Sequence, residues 1–290
     1  MEAVRAASGG ALFDCRWHAC EGPLARYCKA LMVVDVAASP QLDLTIVPHD
    51  AFVVSVQFAA GADPMARGVQ PEMLPQGCAW REVPQTYRPG GNCRTLFALL
   101  TPEGAIHLSG GQPMPQGVVP RQPLAQWLPR STLVALVDAL ALQPDARAQL
   151  QLFGKWLEDR MVPPAPLPWQ ARRAARVLET MLHAPACNIE HLARTESLSR
   201  RQLERDFRRW LGTSPKHASL LGRVQAAARL GWHGHALADV AHRLGFVDQS
   251  HMSHVVRKIC SVTPATLARA ARTELGVAMR HATGGALVYL

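Results

Sequence analysis

The sequence has no run of eighteen consecutive apolar residues, although apolar residues occupy 48% of its 290 positions. A membrane-spanning helix needs about 20 of them in a row, so the sequence predicts none and no membrane as a partner. The segment MEAVRAASGGALFDC lacks the apolar stretch of a secretory signal. We therefore expect a cytoplasmic protein whose apolar content is sufficient for folded cores.

Common enzyme motifs are also absent. The sequence has no G-x-S-x-G, P-loop or dinucleotide-binding fingerprint. His49 and His107 are isolated, and the H-x-H pair formed by His233 and His235 falls in a predicted turn after a helix. The sequence thus predicts no catalytic residue, no metal ion and no cofactor.

Seven cysteines at irregular spacings fit a reducing compartment better than a disulfide framework. Cys15, Cys20 and Cys28 lie close together in CRWHACEGPLARYC, but without the spacing of a common zinc module. Small buried or surface thiols are the favoured interpretation, and a metal- or thiol-dependent enzyme with a basic accessory domain is the alternative. The other cysteines are predicted to be core residues: Cys78, Cys93, Cys187 and Cys260.

The positive charge is concentrated in one part of the chain. Residues 1–168 carry 13 basic and 14 acidic side chains, whereas residues 169–272 carry 17 basic and 7 acidic ones. A local excess of this kind suits a polyanion such as DNA, because neutralised phosphates release their counterions. A solvated basic surface is the alternative.

A proline-rich segment divides the chain. Pro163, Pro164, Pro166 and Pro168 favour a stiff, extended linker. We predict an N-terminal effector or dimerisation domain over 1–162, a linker over 163–168, a DNA-binding domain over 169–272 and a tail over 273–290.

The N-terminal part is predicted to contain strands followed by helices. Apolar, β-branched segments predict strands at 31–36, 42–48, 51–58 and 93–100, with a loop-rich region at 61–92. Helices are predicted for PLAQWL (123–128), 131–142 and 145–161, with Ser131 and Asp145 as N-caps. The helices over 131–161 either form a dimer interface or cover the sheet. Aromatic residues are predicted to fill the core or, alternatively, to line a ligand pocket: Phe52, Phe58, Trp80 and Tyr87.

The C-terminal part is predicted to be all helix. Glycines mark predicted helix ends at 212, 231 and 245. Predicted N-caps are Asn188, Ser199, Ser214, Asp248 and Thr263, with Pro215 and Pro264 in first turns. The predicted fold class is therefore α+β, with a β-rich N-terminal domain and an all-α C-terminal domain.

Two segments of this part resemble each other. HLARTESLSRRQL aligns with DVAHRLGFVDQSHM, so that Ala193 matches Ala241 and Leu198 matches Phe246. Each copy has a small residue, a break at Ser197 or Gly245, an apolar corner residue and a capped second helix. This is the pattern of a helix-turn-helix unit, whose second helix enters the major groove of DNA.

The polar faces of the two second helices are the predicted DNA-reading surface. Arg suits guanine or phosphate, Gln suits adenine, and Glu accepts from cytosine. The predicted DNA-binding residues are Ser199, Arg200, Arg201, Glu204, Arg205 and Arg208 in the first unit, and Gln249, Ser250, His251, His254 and Arg257 in the second.

The region from Trp169 to Ala271 resembles the DNA-binding domain of AraC/XylS-family transcription regulators. The motifs LSRRQLERDFRRWLGTSPKHA and LADVAHRLGFVDQSHMSHVVRKICSVTP carry this resemblance. It implies two helix-turn-helix units on a rigid linker helix, set in successive major grooves, and an N-terminal sensing or dimerising domain. IVPHDAFVVSVQF and CRTLFALLTPEGAIHLSG are similar, more weakly, to the cupin-like N-terminal domains of some members.

Three positions depart from the family pattern: His254 replaces Arg, Val256 replaces Phe, and Ser261 replaces Gly. The loss of a permanent charge at 254 predicts weaker or pH-dependent binding by the second unit. The predicted partners are double-stranded DNA, RNA polymerase, a small-molecule effector and a second copy of the chain. A constitutive DNA-binding protein whose first domain only dimerises is the alternative.

Overall fold

The computed structural model describes residues 2–8, 11–37, 44–48, 52–59, 75–78, 84–87, 93–114, 122–162, 166–270 and 277. Several residues for which the sequence made a prediction lie outside these ranges. They include His49, Trp80 and nearly all of the tail over 273–290. The side chains of Phe58, Cys78 and Tyr87 also lie outside the described part of the molecule.

The N-terminal part is built on an antiparallel sheet. Its strands are β1 (Glu2–Ser8), β2 (Ala11–Ala19), β3 (Cys28–Ala37), β4 (Leu44–Ile46), β5 (Phe52–Ala59), β6 (Gln76–Cys78), β7 (Gln85–Tyr87), β8 (Cys93–Leu100) and β9 (Gln122–Pro123). Seven of them pair in the order β1-β2-β3-β8-β5-β6-β9, and β4 pairs with β7. The predicted strands at 31–36, 51–58 and 93–100 are confirmed, and of the strand predicted at 42–48 the structure shows Leu44–Ile46.

Within its described residues, this part also has three α-helices: α1 (Pro102–Leu108), α2 (Arg130–Ala141) and α3 (Ala146–Met161). Helix α3 lies against β3, and Leu31 Cδ1 is 2.8 Å from the position that a Cβ on Gly154 would occupy. Leu150, Phe153 and Leu157 of α3 are buried. Helix α3 therefore covers the sheet, which agrees with one of the two roles predicted for this segment.

The C-terminal part is helical, as predicted. It contains α4 (Trp169–His183), α5 (Ile189–Thr195), α6 (Arg200–Leu211), α7 (Pro215–Trp232), α8 (Leu237–Arg243), α9 (Gln249–Cys260) and α10 (Pro264–Ala270). The α+β class is therefore confirmed. Buried apolar side chains form one continuous cluster from Leu24 in the N-terminal part to Leu267 in α10.

Two local predictions were wrong and a third is confirmed in a specific form. Helix α2 begins at Arg130 after Pro129, and Ser131 caps nothing because it already lies inside the helix. The short helix predicted at PLAQWL is confirmed as a 3₁₀ helix, Leu124–Gln126. Gly231 lies within α7, where a Cβ would stand 3.0 Å from Ala268 Cβ, so this glycine allows α10 to approach α7.

Among the described helices, none combines the length and the apolar character needed to cross a bilayer.

Candidate nucleic-acid interface

The two predicted helix-turn-helix units have the same turn geometry. In the first unit, Ser197 N donates to Arg194 O and Leu198 N donates to Ala193 O, at 2.9 and 2.8 Å. In the second, Gly245 N donates to His242 O and Phe246 N donates to Ala241 O, at 3.1 and 3.0 Å. Ser197 and Gly245 both have positive φ, 55° and 70°. The internal repeat seen in the sequence is therefore a repeat of backbone structure.

Each unit packs its helices through matching small and apolar residues. Ala193 and Ala241 are buried, which lets the first helix of each unit approach the second. Leu203 of α6 and Met252 of α9 are fully buried at equivalent positions. Both helices thus turn one apolar side inward and leave the opposite side to solvent.

Capping side chains fix where the second helices begin. Ser199 Oγ accepts a hydrogen bond from Gln202 N at 3.1 Å, and Asp248 Oδ1 accepts one from His251 N at 2.6 Å. The N-caps predicted at Asn188, Ser214 and Thr263 are also confirmed. These caps satisfy backbone N–H groups that the helix itself leaves unpaired.

The predicted DNA-reading residues lie on the outer faces of α6 and α9. Ten of the eleven are exposed and Glu204 is half-buried. At the N-cap of α6 and along the helix, the exposed ones are Ser199, Arg200, Arg201, Arg205 and Arg208. On α9 they are Gln249, Ser250, His251, His254 and Arg257. The structure therefore gathers the predicted residues of each unit on one solvent-facing helix surface.

Some of these side chains have partners within the protein. Arg200 lies 3.3 Å from Glu204 and 3.6 Å from Glu190, and Arg205 donates to Gln202 Oε1. Among the described residues, no ion pair or hydrogen bond engages the side chains of Arg201 and Arg208. These two guanidinium groups have all their donors available for a ligand.

The His251 ring has a structural role in addition to its exposed position. Its Nδ1 accepts a hydrogen bond from Val247 N at 3.3 Å, and the ring packs edge-on against Phe246 with centroids 5.7 Å apart. This leaves Nε2 as the nitrogen available to a ligand. Part of the side chain predicted to read DNA therefore closes the turn of the second unit.

A buried ion pair beneath the first unit was not predicted. Arg173 of α4 is hydrogen-bonded to Asp206 of α6, and both residues are buried. Gln202 Nε2 also donates to Asp206, at 2.8 Å, and Arg173 stacks 4.1 Å from the Trp169 ring. The pair fixes the inner side of α6 to α4, so that the reading face is held in one orientation.

Helix α7 is tied to the second unit by Arg223, which the sequence also did not single out. Its Nη1 donates to Gly245 O at 3.3 Å, and its guanidinium lies 5.0 Å from the Phe246 ring centroid. Burial lowers the pKa of the Arg223 guanidinium from its usual value. The contact joins the linker helix directly to the turn.

The N-terminal part contacts the first unit through α1. This helix packs against α4 and α6, and Met114 N, a few residues after it, donates to Arg209 O at 3.1 Å. Gln225, fully buried in α7, donates to Pro48 O, and Lys29 lies 3.5 Å from Glu179. A change in the N-terminal part therefore has a direct route to α6, the helix that carries the first predicted reading face.

No group of three or more His, Cys, Asp or Glu side chains within the described ranges is placed to hold a metal ion. His233 and His235 are exposed beside the end of α7.

Residues 192–270 match the family described as helix-turn-helix domain. This match agrees with the two helix-turn-helix units described above. The resemblance of the C-terminal part to AraC/XylS regulators is thereby confirmed. The match begins within α5 and ends at the last residue of α10, so it includes both units.

A curated relative is the HTH-type transcriptional regulator RipA of Corynebacterium glutamicum, which is 33% identical over 104 residues. The alignment covers 36% of this chain and 31% of the relative, so the chain spans about a third of that protein's length.

Two solved structures are similar in part. The C-terminal domain of AraT, a response regulator from Geobacillus stearothermophilus, has a TM-score of 0.33 at 24% identity, covering 38% of this chain and 90% of that one. ToxT from Vibrio cholerae has a TM-score of 0.40 at 7% identity, and the match covers 89% of this chain and 98% of ToxT.

Proposed function

We propose that the protein is a sequence-specific DNA-binding transcription regulator, with both helix-turn-helix units reading one DNA duplex. The observation that carries this proposal is the duplicated unit, in which equivalent helices bury an apolar side and expose a polar one. The net positive charge of residues 169–272 supplies the attraction to phosphates that such recognition needs.

Each reading face has side chains suited to base edges. Arg201 and Arg208 on α6 offer bidentate donors to guanine or phosphate, and Gln249 on α9 matches adenine. Ser199, Arg200, Glu204, Arg205, Ser250, His251, His254 and Arg257 complete the proposed contact set. Because His254 replaces a permanent cation of the family pattern, the second unit contributes less charge to the complex.

The length of α7 suits a duplex that presents two successive grooves. This helix has 18 residues and is therefore about 27 Å long. Successive major grooves on one side of DNA are about 34 Å apart. A rigid connection of this length allows the two units to enter neighbouring grooves without distorting either of them.

The N-terminal part, residues 1–162, is proposed to bind an effector or to dimerise, with residues 163–168 as linker, 169–272 as DNA-binding domain and 273–290 as tail. The contacts of α1 with α4 and α6 support a signal that alters the first reading face. RNA polymerase, a small-molecule effector and a second copy of the chain are the proposed partners besides DNA.

Selection of bound sequences from a random DNA pool by the full-length protein tests the proposal. We expect an enriched motif with two conserved blocks, and affinity for it that falls steeply with salt. If about six phosphates are neutralised, affinity should fall by about 10³ between about 50 and 200 mM salt. Failure to enrich any motif, or binding that does not change with salt, would contradict sequence-specific recognition.

A further inference from the structure

An open cleft of about 340 Å³ lies between the two helix-turn-helix units. Its lining comes from four places in the C-terminal part: the loop between α4 and α5, the start of α6, the linker helix α7 and the turn of the second unit. Arg200 belongs to α6, Ser219 and Arg223 belong to α7, and Leu244 and Gly245 belong to the turn. Both units and the helix that joins them therefore contribute to one cleft.

The loop between α4 and α5 is fixed against both α7 and the second turn. Ser219 Oγ donates to Pro185 O at 3.3 Å, and a Cβ on Gly222 would meet Pro185 Cβ at 3.7 Å. One residue further along the loop, Ala186 Cβ stands 4.0 Å from the position of a Cβ on Gly245. These contacts hold the cleft at a set width before any ligand arrives.

Arg223 brings a positive charge to the cleft without a matching negative one. Its Nη1 donates to Gly245 O at 3.3 Å, whereas its Nε is buried and has no hydrogen-bond partner among the described residues. No carboxylate in the described part of the chain forms an ion pair with this guanidinium, and burial lowers its pKa. A half-buried cation has lost part of its hydration, so an anion in the cleft would restore what burial removes.

Two other arginines of the same domain do have counter-ions. Arg173 of α4 is buried and hydrogen-bonded to Asp206, and Arg176 lies 2.6 Å from Glu196. The chain thus supplies a carboxylate to Arg173, which is more deeply buried than Arg223. Among these three positions, the cleft is where the folded chain leaves a guanidinium for an external anion.

The cleft lies between the ends of the two helices that are proposed to enter DNA. Recognition helices present their N-terminal residues to base edges. Arg200 is the first residue of α6, and Gly245 lies four residues before Gln249, the first residue of α9. Successive major grooves on one side of a duplex are separated by a minor groove, whose borders are the phosphates of the two strands. Those phosphates are the anions that would come opposite the cleft.

We propose that this cleft binds a backbone phosphate of the DNA segment between the two major grooves, and that Arg223 is the residue that holds it. The proposal rests on the DNA-binding function proposed above. Because Nη1 is engaged by Gly245 O, the Nη2 group provides the donors for the phosphate. Such a contact carries no base information and instead sets the register of both units on the duplex.

Binding of the full-length protein to its selected site, with one phosphate at a time replaced by an uncharged methylphosphonate, tests the proposal. The scan covers both strands between the two motif blocks. We expect the wild type to lose affinity about tenfold at one of these phosphates, because a hydrogen bond between charged groups is lost. Arg223→Gln should bind the unmodified site about tenfold more weakly and lose less than about twofold more at that phosphate.

Each variant is compared with itself on modified and unmodified DNA, so a general loss of stability in Arg223→Gln cancels. Arg229→Gln is the matched control. It removes a cation from the same helix six residues further on, about 120° around the helix axis, and should keep the tenfold loss.

Three results would overturn the assignment. The first is an equal loss in wild type and Arg223→Gln at every phosphate, and the second is a two-block motif with no sensitive phosphate between its blocks. The third is a rise in melting temperature with inorganic phosphate that requires Arg223, without an Arg223-dependent effect in the scan, which would indicate a site for a free anion. All three leave the proposed function standing. A protein that selects no motif would contradict that function, and the DNA contact would fall with it.

Discussion

At the scale of single residues, α6 shows two kinds of charged side chain that serve different ends. Asp206 is buried with Arg173 and holds the helix in place, whereas Arg201 is exposed and makes no pairing with the described residues. Sequence pattern alone separates these roles poorly, because both are polar residues in a strongly charged helix. The structure distinguishes the two roles, because Asp206 is buried and Arg201 is exposed.

Replacing Arg201 by Ala should weaken discrimination at one base pair by about 1–3 kcal/mol, since a bidentate base contact is lost. Arg147→Ala, which removes an exposed arginine from α3, is the matched control and should leave the preference intact. Competition binding with single-base variants of the selected site measures both. Equal discrimination by wild type and Arg201→Ala would show that Arg201 reads no base.

Replacing Asp206 by Asn should destabilise the protein by about 3–5 kcal/mol, because Arg173 then remains buried without its counter-ion. Glu204→Gln, which alters the solvent-facing pair with Arg200, should cost at most about 1 kcal/mol. Thermal and urea unfolding of both variants provides the comparison. Similar losses of unfolding free energy in the two variants would mean that the buried Arg173–Asp206 pair does not hold α6 in place.

At the scale of elements, both helix-turn-helix units were predictable because their determinants are local. The small residue, the break, the corner residue and the cap lie within about a dozen positions of one another, and the structure confirms each. Ser261 shows the same logic, since it occupies the left-handed position after α9 where the family pattern has Gly.

The sequence did not predict the elements whose formation depends on contacts between positions far apart in the chain. Strand β1 has the sequence EAVRAAS, whose alanines do not favour strands, and it forms by pairing with β2. Helix α1 contains Gly104, which argues against a helix in the sequence but is required by the approach of Tyr27 O. The contact of Arg173 with Asp206 likewise depends on the packing of separate elements.

Gly104→Ala should displace α1 from the backbone at Tyr27. The new Cβ would overlap the Tyr27 carbonyl group, which cannot move aside. We expect a loss of stability at the upper end of the range for overpacking, about 3 kcal/mol. Gly222→Ala is the matched control, since its Cβ would meet only Pro185 Cβ at 3.7 Å in ordinary contact. Calorimetry of the two variants compares them, and a stable Gly104→Ala protein would show that α1 is not seated as described.

At the scale of the whole molecule, the positive charge is confined to one part of the chain, whereas the apolar packing extends through both parts. The positive charge lies with the helix-turn-helix domain, while the apolar cluster continues from the sheet into α4, α6 and α7. The N-terminal part therefore packs against the helices that carry and join the proposed reading faces. Under the proposed function, a change near α1 is expected to alter DNA recognition without touching the DNA.

The central claim is that two equivalent helices read neighbouring grooves of one duplex. Hydroxyl-radical footprinting of the full-length protein on its selected site tests it most directly. We predict two protected blocks on the same side of the DNA, about 10 base pairs apart, with the block of α6 lost in Arg201→Ala/Arg208→Ala and that of α9 retained. A single protected block, or two blocks on opposite sides of the duplex, would contradict the account.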